Sequence, residues 1–250
     1  KLWRQDMKIN FDEGYQFGLG VYETIAVEKG ELIFFEEHIQ RMENALSVVG
    51  LRDAISPSEY SEEIIKKYVR NEDIDIGVVK ISISEENVIL TKRENQYTDE
   101  NYENGYRVGI SKIMRNESSP FTYIKSLNCG DNILASRQGY KDGYDEVILL
   151  NSRGEITEGA RTNIFFVKGN EIFTPPISSG LLNGIMRDHL IRENIAKEKV
   201  IFIDGVHEYD EIFLSNSVMK YLPVSDFCGK IYEKHTVARE IYKEFVSRYL

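Results

Sequence analysis

Apolar side chains at Phe35, Ile39, Met42, Leu46 and Val49 recur three and four positions apart and stop at Gly50. That spacing predicts an amphipathic helix closed by a glycine in the left-handed C-terminal position. Ser56-Pro57-Ser58-Glu59 reads as a capping box with proline at the first helical position, and Tyr60, Ile64 and Tyr68 then give a second helix its apolar stripe. The period next falls to two. Val79, Ile81 and Ile83 alternate with Val78, Lys80, Ser82 and Ser84, and Val88-Ile89-Leu90 follows the polar turn Glu85-Glu86-Asn87, which predicts a hairpin. Upstream, Gly20, Tyr22, Thr24 and Ala26 share one side of a further predicted strand. Residues 92–104 are almost wholly polar, and 115–120 reads as a loop after a strand over 107–114. The expected division is a small N-terminal domain over 1–114, an interdomain loop over 115–121 and a large C-terminal domain over 122–250. In that last part the pattern predicts a helix over 132–140, strands over 146–150, 163–167 and 212–215, and helices opening at Gly184 and Thr236. Strands and helices interleave without a strict strand–helix–strand period, so the fold class is α+β or mixed α/β.

The balance of 31 basic against 41 acidic side chains leaves 31 − 41 = −10. Such a charge repels nucleic acid and anionic lipid, so neither is an expected partner. A chain of 250 residues buries roughly 70–75% of the surface that it exposes when unfolded, enough for a core without covalent staples. Cys129 and Cys228 form no disulfide framework, which fits a reducing, cytoplasmic setting. The longest apolar runs, such as Val147-Ile148-Leu149-Leu150, fall far short of the ~20 residues of a membrane span. The first residues, Lys1-Leu2-Trp3-Arg4-Gln5-Asp6, show no secretory signal, and the missing initiator Met implies sequence upstream. His38, His189, His207 and His235 are scattered, so no metal site is expected, and neither a phosphate loop nor a serine-hydrolase elbow occurs.

Four segments make chemical sense together: His38-Ile39-Gln40-Arg41, Ile124-Lys125-Ser126-Leu127-Asn128, Thr157-Glu158-Gly159-Ala160-Arg161-Thr162-Asn163, and Gly180-Leu181-Leu182-Asn183-Gly184-Ile185-Met186-Arg187. With Gly18-Leu19-Gly20-Val21-Tyr22-Glu23 before them and Ser215-Asn216-Ser217-Val218-Met219 after, they resemble the class IV family of pyridoxal-phosphate enzymes. That family includes branched-chain and D-amino-acid aminotransferases and aminodeoxychorismate lyase. The resemblance implies a fold type IV enzyme with a small N-terminal α/β domain, a larger C-terminal domain with a barrel-like sheet, and a homodimer whose partner helps wall the pocket.

It also implies roles. Pyridoxal 5′-phosphate requires an amine to hold its aldehyde, a carboxylate to keep its ring nitrogen protonated and an anion site for its phosphate. By resemblance, Lys125 is the Schiff-base lysine and, once released, the base that moves a proton at the substrate carbon. Glu158 is the carboxylate facing the ring nitrogen, with the Asn163 strand behind it. Arg41, the backbone amides of Ile185 and Met186, and Asn216 with Ser217 would bind phosphate. Leu182 would pack on one face of the cofactor. Tyr22 and Thr24, on one side of their predicted strand, would project into one pocket, where Tyr22 would line the substrate and Thr24 or an ordered water would protonate the leaving group. No role is assigned to Arg107 or Arg115. Gly184-Ile185-Met186-Arg187 and Asn216-Ser217-Val218-Met219 are similar to the lyase, whereas Glu23 is shared with the aminotransferases and Leu19 departs from the usual aspartate. The expected activity is therefore conversion of 4-amino-4-deoxychorismate to 4-aminobenzoate and pyruvate, with transamination of branched-chain or D-amino acids as the alternative. A non-catalytic binding protein on the same fold is the alternative of another class.

Overall fold

A computed structural model of the chain describes residues 8–250; the N-terminal segment read above for a secretory signal lies outside them. The described residues divide into two compact units, 8–93 with 124–128, and 94–123 with 129–250.

The N-terminal unit is built on a four-stranded antiparallel sheet of order β2-β1-β3-β4, from β1 (Gly20–Glu28), β2 (Glu31–Leu32), β3 (Gly77–Ser84) and β4 (Asn87–Arg93). It also carries α1 (Glu13–Phe17), α2 (Phe35–Val48) and α3 (Glu62–Asn71). The expected hairpin is β3–β4, with Ser84 opposite Asn87 across the turn. Helix α2 ends as its pattern predicts, followed by Gly50 at a φ of 74°. Its buried face joins Ile65 and Val69 of α3 and Ile25, Val79 and Ile81 of the sheet in one core. The second helix differs from expectation. Residues Pro57–Tyr60 form a single 3₁₀ turn, and α3 starts afresh at Glu62. That restart resets the helical phase, so Ile65 and Val69 face the core while Ile64 is exposed.

The C-terminal unit holds α4 (Asp99–Asn104), β5 (Tyr106–Ile110), α5 (Gly130–Lys141), β6 (Glu146–Leu150), β7 (Ile156–Gly159), β8 (Asn163–Lys168), β9 (Glu171–Thr174), α6 (Ile185–Arg192), β10 (Ala196–Glu198), β11 (Glu211–Asn216), β12 (Lys220–Phe227), β13 (Lys230–Ile231) and α7 (Thr236–Tyr249). Its sheet runs β10-β9-β8-β11-β12-β5-β6-β7, with β13 beside β12, and curls into a half-barrel. Ile164, Phe166, Ile212, Leu214, Leu222 and Val224 fill one side of it. Phe165 and Phe213 stack at 4.7 Å on the other, where Tyr221 meets Phe245 of α7 edge-on. Glu211 accepts the backbone N–H groups of Val237 and Ala238 at 3.0 and 2.7 Å, so a strand side chain closes the open amides of α7. The mixed α/β class is as expected.

The contacts draw the division elsewhere than at 115–121. Strand β5 lies parallel to both β12 and β6, which ties it to the C-terminal unit. Residues 124–128 go the other way because they extend the N-terminal sheet: Val21 bridges Ser126, Tyr22 N donates to Lys125 O at 2.9 Å, and Leu127 N to Gly20 O at 2.9 Å. Lys125 therefore belongs to the N-terminal unit. The strand expected over 107–114 stops at Ile110, and the polar stretch before it contains the short helix α4, capped by Thr98 and Asn101. Among the described residues no helix is long and apolar enough to cross a membrane.

Candidate active site

Strand β1 carries chemistry on both sides. Val21, Ile25 and Val27 point into the core, and Glu23 shares their side, fully buried. A bare carboxylate there is untenable, and three bonds answer it. Arg41 donates through Nε to Glu23 Oε1 at 2.8 Å and through Nη2 to Oε2 at 2.7 Å, while His38 Nδ1 lies 2.6 Å from Oε2. Both partners come from α2, three residues apart and hence on one helix face. Burial pushes the Glu23 carboxyl up, but the Arg41 guanidinium and His38 together more than offset this and hold it well below the usual carboxylate range. Burial pushes the His38 imidazole down, against Glu23, so it is the neutral ring whose Nδ1–H donates. Arg41, expected at phosphate, thus has its Nε–Nη2 edge fixed on Glu23.

Tyr22 and Thr24 occupy the opposite side of β1 and are half-buried. Lys125 is half-buried as well, and its Nζ lies 4.5 Å from the centre of the Tyr22 ring, within cation–π range. Lys80 on β3, in register with Thr24, reaches the same ring at 4.4 Å. The loop that carries Lys125 is fixed beyond its backbone pairing by Ser126, whose Oγ donates to Gly20 O at 3.2 Å and accepts Asn128 N at 3.0 Å.

In the C-terminal unit Glu158, at the end of β7, is buried. Arg115 Nη2 donates to its Oε1, and Leu182 N donates to its Oε2 at 3.2 Å. Asn163, at the start of β8, donates from Nδ2 to Leu182 O at 3.0 Å. A Cβ on Gly184 would stand 2.0 Å from Asn163 Oδ1, so any larger residue there would have to displace the Asn163 side chain. Gly184 is the N-cap of α6 and offers no capping side chain. The first-turn amides of Ile185 and Met186 are therefore left to other acceptors. The side chains of both residues are buried. Arg187 fixes this turn from below through Asn183 Oδ1 at 2.7 Å and Pro175 O at 2.8 Å. Between β11 and β12, Asn216 Oδ1 accepts Val218 N and Met219 N at 3.0 and 2.8 Å, and its Nδ2 donates to Tyr97 Oη at 2.9 Å. Lys220 Nζ donates to Ser217 O at 3.0 Å.

Three participants have no role in the sequence reading. His38 stands there within the His38-Ile39-Gln40-Arg41 segment but without a role, Glu23 only as a feature shared with aminotransferases, and Arg115 without assignment. The three-residue spacing of His38 and Arg41 is the signal that could have found the first pair. For Arg115, 43 positions from Glu158, there is none.

A model of the amino-transferase class IV family matches residues 20–227. The chain belongs to that family. Among its class IV relatives, a D-alanine aminotransferase of Staphylococcus aureus (strain MSSA476) is 31% identical over 252 residues, covering 90% of this chain and 86% of that one. An aminodeoxychorismate lyase of Bacillus subtilis (strain 168) is 28% identical over 233 residues, covering 85% and 79%. The branched-chain aminotransferase of Escherichia coli shares the fold at a TM-score of 0.88 and 23% identity, over 98% of this chain and 90% of its own. A T.th. branched-chain aminotransferase, solved with pyridoxamine 5′-phosphate, does so at 0.85 and 23%, over 94% and 86%.

Class IV enzymes depend on pyridoxal phosphate, and the residues present fit it. Lys125 is a half-buried amine on a fixed loop, Glu158 is a buried carboxylate paired with a guanidinium, and the α6 start at Gly184 is a helix N-terminus with no capping side chain. These match the cofactor's three needs in type.

Proposed function

We propose that this class IV chain is an aminodeoxychorismate lyase, which splits 4-amino-4-deoxychorismate into 4-aminobenzoate and pyruvate. The observation that carries the reading is the turn after β11. A transaminase must bind a carboxylate directly attached to its reacting carbon. In the Asn216–Met219 turn the backbone donors Val218 N and Met219 N are taken by Asn216 Oδ1, so they are withheld from any carboxylate. The lyase substrate has no carboxylate at its amine-bearing carbon, so it makes no such demand. Met186 supports the same reading: it is an apolar, buried side chain in the first turn of α6 and gives an anion only its backbone amide.

When bound, pyridoxal phosphate supplies a cationic ring that takes up electrons as the proton leaves the amine-bearing carbon. Lys125 would hold the cofactor, and its amine, once released, would take that proton. Glu158 would keep the ring nitrogen protonated and Leu182 would face the ring, with Asn163 fixing the Leu182 backbone. For the phosphate, the N-terminal unit would supply Arg41, and the C-terminal unit Ile185 N, Met186 N, Asn216 and Ser217. Loss of the proton and cleavage of the ether bond to the enolpyruvyl group would leave an aromatic ring; the bonding pair departs with the oxygen as the enolate of pyruvate, which gains one proton at carbon, from Thr24 or water, to become pyruvate. Tyr22, with the Lys125 amine over its face, lines the substrate side. A homodimer belongs to the same proposal and is read by light scattering.

The test supplies the purified, pyridoxal-phosphate-loaded protein with 4-amino-4-deoxychorismate and, separately, with D-alanine and branched-chain amino acids. Pyruvate and 4-aminobenzoate in equal amounts are expected. The 31% identity to D-alanine aminotransferases favours the second reading. Conversion of bound cofactor to its amine form by an amino acid, with no pyruvate from the first substrate, would establish that reading and overturn the first.

A further inference from the structure

Arg115 is held more tightly than an ordinary surface arginine. Its side chain is 10% exposed and is anchored at both ends of the guanidinium. Nη2 donates to Glu158 Oε1, and Nη1 donates to Asn132 Oδ1 at 3.0 Å. Asn132 is itself fixed, its Nδ2 donating to Ala160 O at 2.9 Å, two residues beyond Glu158. The Arg115 backbone is set by a bond from its N to Leu150 O at 2.8 Å. Yet Nε is buried with no hydrogen-bond partner. Burying a guanidinium with one donor unsatisfied is costly, and a buried ion pair seldom returns that cost as stability. The arrangement makes sense if the charge is needed at Glu158.

We propose that Arg115 is a positioning residue that keeps Glu158 ionised, so that the shared proton stays on the ring nitrogen of bound pyridoxal phosphate. The inference rests on the cofactor reading above and adds a residue to it. A carboxylate facing a protonated pyridine in a dry site has two states. In one, the nitrogen keeps the proton and both partners are charged; in the other, the carboxylate takes it and both are neutral. Desolvation favours the neutral pair. A second cation on the carboxylate lowers its basicity and restores the charged pair. Oε2 receives a backbone N–H from Leu182, which acts in the same direction with less force. The pair titrates as a unit, so Arg115 chooses where one proton sits.

The experiment binds pyridoxal phosphate labelled with nitrogen-15 in its ring to the wild type, Arg115→Gln and Arg115→Lys, and reads the ring-nitrogen chemical shift at neutral pH. The wild type and Arg115→Lys should give the pyridinium shift, and Arg115→Gln should move to that of neutral pyridine. A merely structural arginine would change the melting temperature without moving this signal. A pyridinium shift in Arg115→Gln overturns the inference and leaves the cofactor reading intact. Failure of the wild type to bind the cofactor overturns both. If Arg115→Gln does not fold, Arg115→Met, which also removes the charge but keeps much of the side-chain volume, takes its place: a shift towards neutral pyridine supports the proposal and an unmoved pyridinium shift overturns it.

Discussion

Glu23 is the residue whose replacement should disturb the N-terminal unit most. Removing it would leave Arg41 and His38 facing an empty acceptor inside the core. Breaking one side of such a buried pair costs about 3–5 kcal/mol, so Glu23→Ala should lower the urea midpoint accordingly. An exposed-residue effect, within about 0.5 kcal/mol, would contradict this. His38 makes the stability depend on pH. The unfolded imidazole takes a proton near 6.5, whereas burial lowers the folded pKa. Between those values the unfolded state binds more protons, so the stability present above pH 6.5 is lost on acidification. Wild type should unfold at a lower urea concentration at about pH 5.5 than at about pH 7.5, and His38→Asn should show less of that drop. An equal drop in both proteins would remove His38 from the account. Arg41 is legible as an anion-binding residue only by resemblance; that its other edge is committed to a core glutamate depends on a strand–helix contact that no spacing reveals.

At the scale of elements, the approach of β8 to the start of α6 is the most exposed to test. A methyl at Gly184 would collide with Asn163 Oδ1, so Gly184→Ala should cost about 1–3 kcal/mol. Because the obstacle is one side-chain oxygen, the pair Gly184→Ala with Asn163→Ala should cost less than the sum of the two single changes. Strict additivity in thermal unfolding would show that the contact does not limit the turn. Sequence periodicity reveals α2, α5, α6, α7 and the β3–β4 hairpin, since each has one side in the core and one in solvent. It misses β12, where Pro223 argues against a strand although its neighbours pair with β11, and it misses α4, which has no buried residue to give it a stripe. It also starts the second helix five positions early, because Ser56-Pro57 does initiate a turn, but a 3₁₀ one.

For the whole molecule, the motifs reveal the family, whereas the periodicity reveals only part of the architecture. Lys125, Glu158 and the α6 start stand out as short segments with fixed composition. Their assignment to units does not, because residues 124–128 join the N-terminal sheet from a distant part of the chain. Arg115 is invisible for the same reason: its partner is chosen by the fold of the C-terminal unit. The central claim is that one amine, Lys125, carries the cofactor. It is tested most directly by loading the protein with pyridoxal phosphate, reducing with borohydride and locating the added mass by peptide mass spectrometry. The account predicts loss of the visible absorbance band and a single modified peptide containing Lys125. Modification of Lys80, which reaches the same Tyr22 ring, or of no lysine at all, would contradict it.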